Sequence, residues 1–182
     1  MNQEQIIRKV EEKINILIEE FRKYPDKFLT EEDVRAYLYH LLLEDLNIVK
    51  STEDSSQSIP LHCEVRWYGN SGRLKLRSDI VLLDVSTLKT KNTKLFRLPS
   101  KGYSFNKPLV IVEIKLRRKN GSSDNEFKRK IKRDISKLKK IKMELNSGFN
   151  SYVLIFDKKK KLSFEATIEN THKEYYIYPY KK

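Results

Sequence analysis

A dense apolar segment near the middle of the chain carries two charges where a core strand would carry none. Residues 110–117 read Val-Ile-Val-Glu-Ile-Lys-Leu-Arg, which predicts a central β-strand covered on both faces. Charged side chains are almost never fully buried unless they are paired or bind a metal. Glu113 and Lys115 project from the same face, about 7 Å apart along the strand. A metal-seeking carboxylate beside an ammonium group suits chemistry on phosphodiesters.

A second predicted strand, over residues 74–85, supplies another carboxylate. Its odd-numbered face is predicted to change from basic to apolar along its length: Lys75, Arg77, Asp79, Val81 and Leu83. If this strand pairs with the Glu113 strand, Asp79 and Glu113 can hold a hard divalent cation, Mg²⁺ or Mn²⁺. Such a cation activates a bound water, which Lys115 can position. The alternative is structural, with both carboxylates in buried ion pairs to Lys115 or Arg77.

This order of residues resembles the PD-(D/E)XK nuclease superfamily. The likeness is carried by Asp79 on one strand, Glu113-Ile114-Lys115 on the next and a helix after it, and it spans residues 28–157. It implies a restriction-endonuclease-like core of helix, β-meander, helix and strand, with Mg²⁺-dependent nuclease activity. The chain departs from the common pattern in having Ser78 rather than proline before Asp79. The stretch 86–107 must also loop away from the site.

Many members of that superfamily add a glutamate from the first core helix as a further metal ligand. The matching segment here is a helix that is predicted to follow an N-cap at Thr30 and to run to about Leu46. Glu31 shares the inward face of this helix with Val34 and is the predicted ligand, with Glu32 as the fallback. The alternative is that acidic residues in a first turn only complement the helix dipole.

Apolar spacing predicts the remaining elements. Helices are predicted over 4–22 and about 127–145, and strands over 61–68, 151–157 and 175–178. The order helix, hairpin, strand, helix, strand predicts an α/β protein of the α+β type, with a mixed β-sheet flanked by helices. We expect one nuclease-like domain that consists of an N-terminal helix in 1–27, a core in 28–157 and a C-terminal edge strand and tail in 158–182.

The chain is strongly basic, with 38 Lys and Arg against 25 Asp and Glu and a net charge of +13. This surplus favours nucleic acid as the partner, although a Lys-rich surface can also serve solubility alone. The predicted helix over 127–145 is the most basic element, and the resemblance implies that it borders the cleft, so that Asp134 or Lys137 can assist. The predicted phosphate contacts are Lys75, Arg77, Arg117, Arg118, Lys128, Lys130 and Lys137.

The single cysteine, Cys63, excludes an intramolecular disulfide and fits a reducing compartment. The polar N-terminus and the lack of a long apolar run predict a cytoplasmic protein without a membrane partner. The first functional hypothesis is a nuclease, acting on DNA more than RNA. The others are a non-catalytic nucleic-acid-binding or scaffold subunit with the same fold, and a component of a defence, repair or mobile-element machine. In that last case a homodimer or a protein partner supplies specificity.

Overall fold

A five-stranded mixed sheet with helices on both faces forms the scaffold in the computed structural model. The structure describes residues 1–68, 74–88, 107–145, 148–159 and 172–180, except for the side chains of residues 68, 74 and 75. The helices are α1 Gln3–Lys23, α2 Glu31–Leu46 and α3 Asp124–Leu145. The strands are β1 Lys50–Ser51, β2 Gln57–Ser58, β3 Leu61–Tyr68, β4 Leu74–Leu83, β5 Pro108–Arg117, β6 Asn150–Asp157 and β7 Lys173–Ile177.

The strands of the sheet follow one another in the order β3-β4-β5-β6-β7. The β3–β4 and β4–β5 pairs are antiparallel, whereas β5–β6 and β6–β7 are parallel. α3 connects β5 to β6, as expected because parallel neighbours need a long crossover. β1 and β2 form a separate two-stranded ribbon. The predicted mixed sheet flanked by helices is confirmed.

Different helices bury the two faces of the sheet. On one face, α1 and α2 cover the even-numbered β5 residues Val110, Val112 and Ile114. On the other face, α3 covers Ile111, and side-chain alternation places Glu113 on this same side. A strand covered on both faces needs apolar residues throughout, which explains the dense apolar run in the sequence. Glu113 is therefore an ionisable group in the middle of a core layer.

Helix caps explain where the helices begin. Thr30 Oγ1 accepts the Asp33 N–H at 3.2 Å, and the Asp33 carboxylate accepts the Thr30 N–H at 2.9 Å. This reciprocal capping box confirms the predicted N-cap of α2. α3 begins at Asp124, earlier than the predicted start near Phe127. The prediction missed this turn because its polar residues are typical of loops, although Asp124 and Glu126 also complement the helix dipole.

Candidate active site

β4 and β5 separate at the predicted site. Their antiparallel pairing ends at Ile80 and Val112, although both strands continue beyond that pair. Past this point, β4 stays paired with β3 while β5 stays paired with β6. Asp79 is the first β4 residue beyond the last pair, and its Oδ2 accepts the Ile114 backbone N–H at 2.7 Å. The gap that opens where β4 and β5 part is called the strand fork below. The Asp79 carboxylate lies in this fork and accepts a hydrogen bond that a continued β4 backbone would have accepted.

The alternation of side chains breaks at the same place, so the predicted odd-numbered face of β4 is wrong. Val81 packs in the core layer beside α3, and Leu76 packs against that same layer. Residues an odd number of positions apart would lie on opposite faces of a regular strand. Opposite Asp79 in β3, Glu64 has a φ of 55°, a left-handed conformation that side chains of this kind rarely adopt. The reversal turns Arg77 away from the face that Val81 occupies.

Glu64 joins two arginines beside Asp79. Its carboxylate forms an ion pair with Arg35 of α2, and its Oε2 lies 2.7 Å from Arg77 Nε. Arg35 Nη1 also lies 3.6 Å from Asp79 Oδ1. The sequence analysis missed both Glu64 and Arg35. Arg35 follows Glu31 by one helical turn, a spacing that could have suggested a shared face, whereas nothing in the sequence indicates the left-handed Glu64.

The left-handed conformation of Glu64 predicts an unusual ranking of two substitutions. Glu64→Ala and Glu64→Gly both remove the carboxylate, but only glycine adopts a positive φ without steric strain. We expect the glycine variant to be more stable than the alanine variant by about 1 kcal/mol in urea unfolding. The same pair of substitutions at Arg66, an exposed β3 residue without a positive φ, should rank in the opposite order. Identical rankings at the two positions would contradict the assigned backbone.

Glu113 is completely buried, and only one of its carboxylate oxygens is paired among the described residues. Oε2 forms an ion pair with Lys137 of α3, whose ammonium also donates to the Arg77 carbonyl at 2.7 Å. Oε1 has no hydrogen-bond partner in the described part of the chain. Burial raises the pKa of the Glu113 carboxyl to about 8; Lys137 opposes this shift, and Asp79 and Asp134 add to it. The Oε1 atom of Glu113 can therefore still bind a cation.

The raised pKa of Glu113 predicts how the stability of the metal-free protein depends on pH. Because the folded pKa of about 8 exceeds the ordinary value of 4.5, the folded protein keeps a proton that the unfolded chain loses. The free energy of unfolding should therefore fall between about pH 5 and 8, by at most about 1.4 kcal/mol per unit. Urea unfolding in EDTA measures this slope. It should flatten in Glu113→Gln, and an unchanged slope would contradict the shift.

Lys115 lies between carboxylates from two helices. Its Nζ is 3.0 Å from Asp134 Oδ2 of α3 and 3.3 Å from Glu31 Oε2 of α2, and it donates to the Ile114 carbonyl at 2.9 Å. The other oxygen of Glu31 accepts the Leu116 N–H at 3.2 Å. Burial lowers the pKa of Lys115, but the neighbouring carboxylates outweigh burial and the net shift is upward. Lys115 is therefore a firmly held positive charge.

The predicted site residues fall into two adjoining clusters, each centred on one β5 side chain. The Glu113 cluster consists of Asp79, Glu113 and Lys137. The Lys115 cluster consists of Glu31, Lys115 and Asp134. A distance of 3.4 Å between Lys137 Nζ and Asp134 Oδ1 joins them. Glu31 contacts Lys115 and Leu116, and the fallback residue Glu32 is exposed. The structure thus brings α2, the predicted first core helix, to the site through Glu31.

The Glu113 cluster fits a hard divalent cation, although it does not form a full cage of protein ligands. No group of three or more His, Cys, Asp and Glu side chains suited to a metal occurs among the described residues. Mg²⁺, however, is commonly held by one or two carboxylates, several waters and a substrate phosphate. Asp79 in the fork and the buried, unpaired Oε1 of Glu113 are donors of that kind. Glu31 as a further ligand stays a prediction.

The basic residues predicted to contact phosphate occupy different environments. Arg117 is a correction, because it is 1% exposed and donates to Asp157 at 2.8 and 2.7 Å, so its guanidinium is not accessible to nucleic acid. Lys137 belongs to the Glu113 cluster. The side chain of Lys75 lies outside the described residues. Exposed or half-exposed side chains occur at Arg77, Arg118, Lys128 and Lys130.

Fold and site together define an α+β protein in which two central strands diverge around a cluster of charged side chains. Comparison of the chain with protein-family models, curated proteins and solved structures gave no match. No helix in the described ranges has both the length and the apolar character needed to span a membrane. The function has to be inferred from the chemistry of the site.

Proposed function

We propose that this protein is a nuclease, dependent on Mg²⁺ or Mn²⁺, that hydrolyses phosphodiester bonds of nucleic acid, DNA more than RNA, on a restriction-endonuclease-like core. The observation that carries the proposal is the strand fork. There, Asp79 is anchored on the Ile114 N–H beside the buried carboxyl of Glu113, and the next residue of β5 on that face is Lys115. Charges that are buried or partly buried are costly, so a purely structural role gives little reason to gather Asp79, Glu113 and Lys115 at the end of a strand pair.

The carboxylates are oriented before any ligand arrives. The Ile114 N–H holds Asp79, and Lys137 of α3 holds one oxygen of Glu113. A bound divalent cation would supply positive charge to the phosphoryl oxygens and a more acidic water. The protein's part is to fix both acidic groups in a site where rearrangement on binding is small, and this lowers the cost of reaching the transition state.

Lys115 acts as a charge and a hydrogen-bond donor, not as a base. Its pKa is raised by Asp134 and Glu31, so it keeps its proton at neutral pH. Its charge offsets the negative charge that develops on the attacking water and the phosphate oxygens, and one N–H can turn to them from Glu31, the most distant of its three acceptors at 3.3 Å. In the reaction, the water oxygen bonds to phosphorus and the P–O bond to the leaving sugar oxygen breaks. A proton passes from the water, through solvent, to that oxygen.

The charge of the whole chain supports a polyanionic substrate. The net charge of +13 favours encounter with nucleic acid at low ionic strength. α3 contributes to this field, because its exposed surface includes Arg129, Lys132 and Arg133, and it packs beside the Glu113 cluster. Backbone phosphates are the groups that such a surface attracts, without regard to base sequence.

One observation favours a second candidate, a non-catalytic nucleic-acid-binding or scaffold subunit that keeps the fold. The Lys137 ammonium pairs with Glu113 and lies 3.4 Å from Asp134 Oδ1, so a lysine already supplies positive charge to these carboxylates. A chain that had lost metal chemistry could retain the cluster in this closed form. Under this alternative, binding falls steeply with salt and is indifferent to EDTA and to Asp79→Ala.

Supercoiled plasmid DNA separates the two candidates. The protein is incubated with plasmid in Mg²⁺, in Mn²⁺ and in EDTA, and a parallel gel-shift assay measures binding. The nuclease proposal expects nicked or linear products with a divalent cation and none in EDTA. Binding without cleavage under all three conditions would contradict it and support the second candidate. Single-stranded DNA and RNA of the same sequence then define the substrate.

A partner that supplies specificity belongs to the same proposal. The Glu113 and Lys115 clusters can act only on phosphate groups, which carry no sequence information. Recognition of a particular nucleic-acid sequence or structure would therefore come from a second copy of the chain or from another component of a defence, repair or mobile-element system. Light scattering on a sizing column, with and without DNA, tests self-association. A cytoplasmic location also stays a prediction. The free, exposed thiol of Cys63 is consistent with the reducing compartment that this prediction assumes.

A further inference from the structure

A basic pocket lies next to the Lys115 cluster, beyond the ends of β5 and β6. Its volume is about 570 Å³. The lining residues come from the turn after β5, the turn after β6 and the connection between α1 and α2: Asp26, Leu29, Arg118, Lys119, Asn120 and Lys158. Three of these side chains are basic and one is acidic, so the pocket favours an anion.

Two ammonium groups in the pocket converge on a single carboxylate. Lys158 Nζ lies 3.3 Å from Asp26 Oδ1, and Lys119 Nζ lies 3.5 Å from Asp26 Oδ2. Both distances are long for a charge-assisted hydrogen bond. The Lys158 side chain is only 5% exposed, whereas its partner Asp26 is 70% exposed. The nearly buried ammonium of Lys158 is therefore paired, at a distance longer than a strong hydrogen bond, with a carboxylate that is mostly exposed to water.

Asp33 is another acidic group near Lys158, and its carboxylate already accepts two hydrogen bonds. Its carboxylate accepts the Leu29 N–H at 2.8 Å and the Thr30 N–H at 2.9 Å. These bonds, more than Lys158, lower the pKa of Asp33. Asp33 caps α2 through its Oδ2, whereas Asp26 is the carboxylate that forms ion pairs with both pocket lysines. A backbone phosphodiester carries one negative charge on two accepting oxygens, as the Asp26 carboxylate does, and could take the place of that exposed carboxylate between the two lysines.

The turn that carries Arg118 and Lys119 is built to hold its shape. The Gly121 N–H donates to the Arg118 carbonyl at 2.9 Å, and a Cβ at position 121 would lie only 3.0 Å from that same oxygen. Lys159 Nζ also ties the turn to the end of β6 through the carbonyls of Gly121 and Ser122, at 2.8 and 3.1 Å. The pocket wall is therefore ordered before a ligand arrives.

The position of the pocket relates it to the candidate active site. Glu31 of the Lys115 cluster contacts Leu116. The pocket residue Leu29 lies two positions before Glu31, and the pocket residue Arg118 lies two positions after Leu116. Arg118 lies three residues beyond Lys115, which corresponds to roughly 10 Å of extended chain. We propose that the pocket binds a backbone phosphate of the nucleic acid, close along the same strand to the phosphate that faces Lys115. This inference rests on the proposed function for its substrate class.

Asp26→Asn tests the pocket through a gain of binding. The change removes the acidic group that competes with phosphate, so the affinity for a labelled oligonucleotide in EDTA should rise about three- to tenfold. Glu4→Gln is the matched control, since it removes the same charge from an exposed α1 residue that does not line the pocket. Fluorescence anisotropy on the full chain measures both. Lys119→Ala should weaken binding and reduce the salt slope by about one phosphate contact.

Several results would overturn the assignment. Unchanged or weaker binding by a correctly folded Asp26→Asn variant removes the pocket, and an equal gain in Glu4→Gln reduces the effect to overall charge. Tighter binding of inorganic phosphate by Asp26→Asn, with no gain for the oligonucleotide, would make the pocket a small-anion site and overturn the nucleic-acid assignment. Because the assay contains no divalent cation, a gain with Asp26→Asn supports the pocket even if plasmid cleavage fails. Failure of cleavage counts against the nuclease proposal alone.

Discussion

Lys115→Ala and Glu113→Ala should each lower divalent-dependent plasmid cleavage by about a hundredfold to a thousandfold or more. Lys115 supplies a charge that two carboxylates hold in place at 3.0 and 3.3 Å. Glu113 supplies a buried carboxylate with an unpaired oxygen among the described residues. Both groups act where negative charge develops during phosphoryl transfer, in surroundings with little competing water. Gel quantification of nicked product over time measures the loss.

Glu113→Gln distinguishes lost chemistry from lost folding. Burial raises the pKa of the Glu113 carboxyl to about 8, and glutamine is a neutral side chain of nearly the same shape and size. We expect this variant to fold and to bind DNA, yet to be inactive. Lys9→Ala, a half-exposed lysine of α1 that pairs with Glu12, serves as the control for charge and should cleave normally. Cleavage at the parental rate by Glu113→Gln or Lys115→Ala would contradict the assignment.

Arg117→Ala should lower the free energy of unfolding by about 3–5 kcal/mol, or prevent folding. The side chains of Arg117 and Asp157 are both fully buried and share two hydrogen bonds, of 2.8 and 2.7 Å. Arg117 also pairs with Asp124 at the start of α3, and its guanidinium lies 5.1 Å from the Phe127 ring centre. Truncation leaves the Asp157 carboxylate buried and without this charge partner.

The neighbouring arginine gives the matched control for that prediction. Arg118 is exposed, so Arg118→Ala should change the stability by less than about 0.5 kcal/mol in the same urea experiment. Arg117→Met combined with Asp157→Leu should recover most of the loss, because a well-packed apolar pair can replace a buried ion pair. Equal stabilities of Arg117→Ala and Arg118→Ala would contradict the assigned burial.

The elements of the fold follow from local patterns and could be predicted. Apolar residues at helical spacing mark α1 and α2, and the capping box at Thr30 and Asp33 marks the start of α2. The apolar run of β5 indicates a strand covered on both faces, and the structure has it at the centre of the sheet. These features depend on neighbours within a few residues, so the sequence alone determines them well.

Long-range geometry explains what the sequence analysis missed. Arg117 was expected to contact phosphate because it follows the site in sequence, yet a carboxylate forty positions away, Asp157, holds it in the core. The reversal of side-chain faces in β4 depends on the left-handed Glu64 in the neighbouring strand. Neither the pairing partner of a charge nor such a backbone conformation leaves a pattern in nearby residues.

A crystal structure of the protein grown with Mn²⁺, measured at a wavelength where manganese scatters anomalously, tests the central claim most directly. The account predicts one ion within about 2.3 Å of an oxygen of Asp79 and an oxygen of Glu113. Crystals of Glu113→Gln grown in the same way should lose the peak, with the rest of the fold unchanged. An empty fork, in which Lys137 alone stays paired with Glu113 at saturating Mn²⁺, would contradict metal-dependent hydrolysis by this protein.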